Sequence, residues 1–247
     1  MDVPWAAAGT VTVTNGGDVF KEADLIPPSA TQPVTEQQAS GLPYASVSIL
    51  SLNAVAGTSI YDDTTWIMGE ISNTGNANAY DVTISGLLKD AQGSIMGSGS
   101  ATIQCLPPGR TVGYSIIVRD PQLYVAAEVS GIFDLTSYRT YWELPTSNES
   151  LRAVESSYSG TSYRYAGIAS NNTPTTLEFS KLHVWFLDAS GTVVSGMGSY
   201  VNDYTYLDPS TVPSGGWVGF DEESGSPRYN PAAGSIVTAK AFTYGSE

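Results

Sequence analysis

FLDASGTVVSGMGS (residues 186–199) restates, 98 residues further along the chain, the pattern of LKDAQGSIMGSGS (residues 88–100). Four landmark pairs share this offset: Gly69 with Gly167, Asn73 with Asn171, Asp90 with Asp188, and Gly93 with Gly191. Self-similarity at one fixed offset is the signature of an internal repeat. The chain is therefore predicted to contain two related copies of one structural unit.

A second pair of matching segments indicates where the two copies differ. PPGRTVGY (107–114) aligns with PSGGWVGF (213–220) at an offset of 106, so the second copy carries eight extra residues. They fall within SYVNDYTYLDPSTV (199–212). We interpret this insertion as a lengthened loop, since loops accept extra residues without disturbing a core.

Each copy has the apolar alternation of β-strands followed by a turn signal. The alternation predicts core faces in DVTISGLLKD and SKLHVWFLD, formed by Val82, Ile84 and Leu88 and by Leu182, Val184 and Phe186. Asp-Ala-Gln-Gly and Asp-Ala-Ser-Gly follow, where the aspartate caps its turn and the glycine takes a positive φ. A calcium loop at Asp90 or Asp188 is the alternative, but the alternating carboxylates that Ca²⁺ requires are missing.

Six or seven short strands per copy, with turn signals about every 8 to 12 residues, are typical of an antiparallel immunoglobulin-like β-sandwich. We therefore predict an all-β chain of two tandem sandwiches, residues 45–142 and 143–247, preceded by an N-terminal arm, residues 1–44. The Cys and Trp pin of antibody domains is absent. Hydrophobic packing alone must hold each pair of sheets together.

The order of the landmarks resembles the FxLYD family of immunoglobulin-like domains. The matching residues are Gly69, Asn73, Leu88, Asp90, Gly93, Pro108, Gly109 and Tyr114 in the first copy, and Gly167, Asn171, Phe186, Asp188, Gly191, Pro213, Gly215 and Phe220 in the second. The resemblance covers residues 46 to about 245. It implies a surface or secreted protein of bacteria or archaea, and it implies no catalytic residues.

The arm contains one strand-like segment, GTVTVTN (9–15), before a Pro- and Ser-rich spacer. Thr10, Thr12 and Thr14 alternate with Val11 and Val13, so the strand has an apolar side that requires a partner. Three hypotheses remain open: the strand docks on a sandwich of its own chain, it is donated to a neighbouring molecule, or it is a disordered tail. Donation in a head-to-tail manner builds filaments.

Composition excludes several function classes. The 24 acidic residues outnumber 10 basic ones, and a net charge of −14 disfavours nucleic acid and anionic membranes as partners. No segment is long enough to span a bilayer, and the start lacks the features of a signal peptide. Cys105 and His183 are the only residues of their types, which argues against metal and catalytic sites, and we expect no cofactor. His183 is expected at the surface or between domains.

Tyrosine is the most abundant aromatic residue type in this chain that could form a binding surface, with 15 copies. SSYSGTSYRYAG and YVNDYTYLD suggest a ligand or partner face in the second copy, formed by Tyr163, Tyr165, Tyr200, Tyr204 and Tyr206 together with Trp185. We predict a non-catalytic, extracellular or cell-surface protein, a structural or filament subunit that assembles through strand donation by its arm. The alternative is a carbohydrate- or ligand-binding module that uses the tyrosine-rich loops.

Overall fold

The computed structural model describes residues 10–14, 43–56, 64–119, 124–134, 137, 139–156, 160–196, 205–223 and 236–247. These residues contain sixteen β-strands and no helix. Every pairing between the strands is antiparallel. The prediction of an all-β, antiparallel sandwich fold is confirmed.

The first sandwich consists of two sheets. Its strands are β1 (Thr10–Thr14), β2 (Val47–Ile49), β3 (Asn53–Ala56), β4 (Thr64–Asn73), β5 (Ala79–Lys89), β6 (Ile95–Leu106), β7 (Thr111–Arg119) and β8 (Ala126–Asp134). Sheet 1 has the order β1-β8-β5-β6. In sheet 2, β4 is central and pairs with β2 and β3 on one side and with β7 on the other.

The second sandwich repeats this plan. Its strands are β9 (Tyr141–Glu143), β10 (Thr146–Ser156), β11 (Gly160–Ser170), β12 (Glu178–Leu187), β13 (Val193–Gly196), β14 (Thr205–Tyr206), β15 (Trp217–Glu223) and β16 (Thr238–Ser246). Sheet 3 has the order β13-β12-β16-β9, with β14 also paired to β12, and sheet 4 has the order β10-β11-β15. By position in the repeat, sheet 3 corresponds to sheet 1 and sheet 4 to sheet 2.

The repeated landmarks perform the same structural task in both copies. The Asn73 amide donates to the carbonyls of Ala77 and Leu106, both at 2.8 Å. The Asn171 amide donates to the corresponding carbonyls of Thr175 and Val212, also at 2.8 Å. Both asparagines are fully buried, and each fastens the loop that follows its strand, β4 or β11, to a carbonyl distant in the sequence. The sequence repeat is therefore also a repeat of buried hydrogen bonds.

The two Asp-x-x-Gly turns are alike as well. Gly93 has φ 83° and Gly191 has φ 82°, a left-handed conformation that glycine adopts without a steric penalty. The Asp90 carboxylate accepts from the backbone N–H of Gln92 and Ser94 at 2.9 and 2.8 Å. The Asp188 carboxylate accepts from Ser190 and Thr192 in the same manner. These turns join β5 to β6 and β12 to β13, as the sequence predicts.

The predicted core faces are buried. Val82, Ile84 and Leu88 belong to the first hydrophobic core, and Leu182, Val184 and Phe186 belong to the second. The first core also contains residues of sheet 3, namely Trp185, Leu187, Val193, Phe242 and Tyr244. Sheet 2 is thus covered on both faces, and the four sheets stack in the order 1, 2, 3, 4.

Candidate interaction surfaces

The arm strand lies on the outer edge of sheet 1. β1 pairs antiparallel with β8 of the same chain, in a register that sets Thr10 opposite Ser130 and Thr14 opposite Ala126. The same register sets Val11 opposite Val129, and the Val129 side chain faces the first core and is fully buried. An uncovered edge strand offers unpaired N–H and C=O groups to any other strand. β1 covers this edge of the sheet by pairing with five residues of β8.

The contact between the sandwiches centres on Trp185. Its side chain is 3% exposed, and its indole N–H donates to the Glu70 carboxylate at 2.8 Å. The ring lies over Gly113 of β7, where a Cβ would stand only 2.3 Å from the Trp185 Cγ. Lys240 forms an ion pair with Glu70 at 2.7 Å. The indole therefore fills a depression on sheet 2 that exists because residue 113 has no side chain.

Lys181 and His183, on the same face of β12, are also buried. The Lys181 ammonium donates to the Gln104 side-chain carbonyl at 2.5 Å. Burial and, secondarily, the positive charge of Arg139 lower the pKa of Lys181 to about 8. The His183 ring stacks on Tyr244, with 5.6 Å between ring centroids, and its Nε2 lies 3.4 Å from the Tyr244 hydroxyl. His183 is 1% exposed and occupies an inter-sandwich position.

The structure distributes the predicted aromatic face over several environments. Tyr165 is 5% exposed and packs in the second core, 5.9 Å from the Phe220 ring centroid. Burial, followed by the charge of Glu149, raises the pKa of Tyr165. Tyr163 is half-buried against the same core, whereas Trp185 faces sheet 2. Tyr165 and Trp185 therefore lie on opposite sides of sheet 3.

The other members of that predicted face lie in the insertion of the second copy. Tyr200 and Tyr204 lie outside the described residues. Tyr206 belongs to β14, at the register position opposite Lys181 of β12. The ligand or partner face predicted from Tyr163, Tyr165, Tyr200, Tyr204, Tyr206 and Trp185 stays a prediction.

The exposed aromatic Trp217 was missed by the sequence reasoning. Trp217, at the start of β15, is 67% exposed on the outer face of sheet 4. The signal was available in WVGF, because Val218 and Phe220 alternate into the core and so direct Trp217 outward. Gly219 follows on the same outer face, and a Cβ added there would have no atom closer than 3.9 Å.

Groups able to support chemistry are few and unfavourably placed. Burial and, to a smaller degree, the charge of Asp81 raise the pKa of Cys105 to about 12, so this thiol stays protonated and inert at neutral pH. Within the described ranges, no three His, Cys, Asp or Glu side chains lie close enough together to hold a metal ion. In the same part of the chain, no helix has the length and hydropathy needed to cross a membrane.

Comparisons with known proteins give one family and several distant structures. No curated protein sequence matches the chain. It is similar to red sea bream transglutaminase (11% identity, TM-score 0.23, 89% of this chain and 32% of that one). It is also similar to a CBM22 tandem domain of Paenibacillus barcinonensis Xyn10C (9% identity, TM-score 0.16, 83% of this chain and 85% of that one). A third similar structure is that of a protein of Parabacteroides distasonis described as secreted (8% identity, TM-score 0.19, 83% of this chain and 89% of that one).

These structural similarities are too weak to carry an argument about function, and the chain spans only about a third of the transglutaminase. The family evidence is stronger. The family model of translocon-associated protein beta matches residues 62–205, which is more than half of the chain and includes parts of both sandwiches. This is a different family from FxLYD, whose Phe-x-Leu-Tyr-Asp motif is replaced here by GLLKD and VWFLD. The chain belongs to the translocon-associated protein beta (TRAPB) family.

Proposed function

We propose that the chain is a non-catalytic structural or interaction protein of the cell exterior, which assembles by donating its arm strand to a neighbouring molecule. In this proposal, residues 45–142 and 143–247 are the two domains and residues 1–44 are the donor arm. The pairing of β1 with the edge of β8 is the observation that carries it. The family description, an association with a translocon, agrees with a binding role.

Exchange of β1 between molecules would keep every pairing intact. Residues 15–46 connect β1 to β2. If extended, these 32 residues could reach about 100 Å. The same register with β8 is therefore available within one chain or between two chains. A molecule that donates one strand and accepts another forms a head-to-tail contact, which produces an open filament when the rotation does not close.

Composition supports the location and the absence of catalysis in this proposal. The chain has few lysines and is rich in Ser, Thr and Tyr, as in many surface proteins. The FxLYD-like landmarks imply the same environment. His183 is committed to the Tyr244 ring between the sandwiches, and Cys105 is held as a protonated thiol. Neither residue is available as a nucleophile or general base in this arrangement.

A cross-strand disulfide tests the donation. Thr10→Cys combined with Ser130→Cys places two thiols at directly opposed positions of β1 and β8, where Cβ atoms lie about 4.5–5.5 Å apart. We expect mild oxidation to give a ladder of covalent oligomers on non-reducing gels, because the arm of one molecule pairs with β8 of the next. Cys105 will not compete, since its thiol is buried and stays protonated.

The matched control for this experiment is Thr10→Cys with Ala126→Cys. Ala126 lies four residues from Ser130 along β8, or about 13 Å, which is too far for a disulfide. The control should remain unbridged. A variant that forms only an intramolecular disulfide at every protein concentration would show that the arm docks on its own chain, and would contradict donation.

A second candidate function, carbohydrate binding, is favoured by the exposure of Trp217. An exposed indole beside a glycine on the outer face of a sheet provides a stacking platform for a sugar ring. A glycan array probed with the full chain is expected to show binding that falls at least about tenfold in Trp217→Ala. Trp142→Ala, at an indole that is 40% exposed elsewhere, is the control. A blank array would remove this candidate.

A further inference from the structure

The second sandwich has an edge that corresponds to the one on which β1 lies. β8 pairs with β5 so that Gly131 stands opposite Ile84, and β16 pairs with β12 so that Thr243 stands opposite Leu182. Ile84 and Leu182 are equivalent core positions of the two copies. Gly131 therefore corresponds to Thr243. When Gly131 is aligned with Thr243, the five residues of β8 that pair with β1 (126–130) correspond to residues 238–242 of β16.

Only part of this second edge is occupied. β9 pairs with Tyr244, Gly245 and Ser246, and the backbone N–H of Leu144 donates to the Thr243 carbonyl. In the portion of the chain that the structure describes, no strand pairs with the outer edge of residues 238–242. The second sandwich thus lacks, at these five positions, the strand that the first sandwich has.

Residues 238–242 of β16 resemble the β1-binding residues 126–130 of β8 in the side chains that face the core. On β8, the positions opposite Val13 and Val11 are Ala127 and Val129, which face the first core. Their counterparts on β16 are Ala239 and Ala241, which are half-buried and pack against the second core. Two valines from an added strand would cover these small side chains. Apolar side chains at alternate positions of an added strand give such pairings their specificity.

A strand of the opposite sheet contacts each of the two edge strands. β2 is in contact with β8, and β10 is in contact with β16. β2 does not prevent β1 from pairing with β8. Contact with a strand of the opposite sheet is therefore compatible with pairing along such an edge.

We propose that residues 238–242 of β16 bind the arm strand, residues 10–14, of a second copy of this chain. The strand would run antiparallel to β16, with Thr14 opposite Thr238 and Thr10 opposite Phe242. This inference rests on the proposed function in taking the arm as a donor, and it adds a second acceptor edge. To bind there, the arm must leave the β8 of its own molecule, so the two edges compete for one strand.

A disulfide at the predicted register tests this second edge in the full chain. Thr14→Cys with Thr238→Cys introduces two thiols that face each other only when an arm lies on β16. Thr238 is exposed, so its replacement should not affect folding. Oxidation is expected to give a ladder of covalent oligomers that reduction abolishes. An intramolecular bridge would overturn the assignment to a second copy, and the absence of any bridge would overturn the site.

The control is Thr10→Cys with Thr238→Cys, in which the two positions are four residues out of register and should not bridge. Hydrogen exchange on the unmodified chain gives a second measurement. Raising the protein concentration should slow exchange by about tenfold or more at those amides of residues 238–242 that point away from β12. Exchange that is independent of concentration would overturn the proposal.

The two cysteine pairs distinguish donation of the arm to β8 from donation to β16. A ladder from the Thr10–Ser130 pair without one from the Thr14–Thr238 pair would leave donation to β8 intact and eliminate the edge of β16. The reverse result would identify β16 as the acceptor. No ladder from either pair would eliminate donation of the arm altogether.

Discussion

Asn73→Ala is expected to lower the free energy of unfolding of the first sandwich by about 3–5 kcal/mol. The amide of Asn73 is fully buried and serves four backbone groups. It donates to the carbonyls of Ala77 and Leu106 and accepts from the N–H groups of Ser46 and Gly75. Alanine provides none of these bonds, and the Leu106 carbonyl would be left buried without this donor. Urea denaturation followed by tryptophan fluorescence measures the loss.

Two substitutions serve as references for this prediction. Asn171→Ala removes the equivalent amide from the second sandwich, where it donates to Thr175 and Val212, and should cost a similar amount. Asn76→Ala removes an exposed side chain that accepts one hydrogen bond from Tyr44, and should cost less than about 1 kcal/mol. Equal effects of Asn73→Ala and Asn76→Ala would contradict the role assigned to the buried asparagine.

Gly113→Val is expected to separate the two sandwiches, at a cost of about 3–5 kcal/mol. A Cβ at this position would stand 2.3 to 2.7 Å from three atoms of Trp185, so the indole must leave its site. Its hydrogen bond to Glu70 would be lost with it. We expect a red shift of the tryptophan emission and unfolding in two steps, because each sandwich would then unfold without support from the other.

The repeat provides the matched control at Gly219, which occupies the same position in β15. No atom lies closer than 3.9 Å to the place that a Cβ would take, and valine favours a strand. Gly219→Val should therefore be neutral within about 0.5 kcal/mol. In a Trp185→Ala background, Gly113→Val should cost less than about 1 kcal/mol. A full cost in that background would show that the clash with the indole is not the cause.

The strands and turns could be predicted from the sequence because they depend on local chemistry. Alternation at Val82, Ile84 and Leu88 reports which face of a strand is apolar. An Asp-x-x-Gly segment specifies a turn through one carboxylate and one residue with positive φ. These requirements are met within a few residues, so neither the partner strand nor the other sandwich is needed to recognise them.

The opposite face of β12 could not be assigned in this way. Alternation predicts that Lys181, His183 and Trp185 share a face, but a strand does not reveal whether that face meets water or another sheet. A signal was present, since LHVWFL is almost continuously apolar, as in strands covered on both sides. The partner of that face, a glycine-lined depression on β7, lies about 70 residues away in the sequence.

The sequence by itself determined that this protein is a tandem of antiparallel sandwiches with one additional strand in an N-terminal arm. Periodicity, turn residues and a repeated offset are sufficient for that, since each acts over short distances. Only the tertiary structure decided that sheets 2 and 3 pack together around Trp185, and that β8 is the edge strand with which β1 pairs. The physical reason is that backbone hydrogen bonding at a sheet edge is nearly independent of sequence, so shape and coverage select the partner.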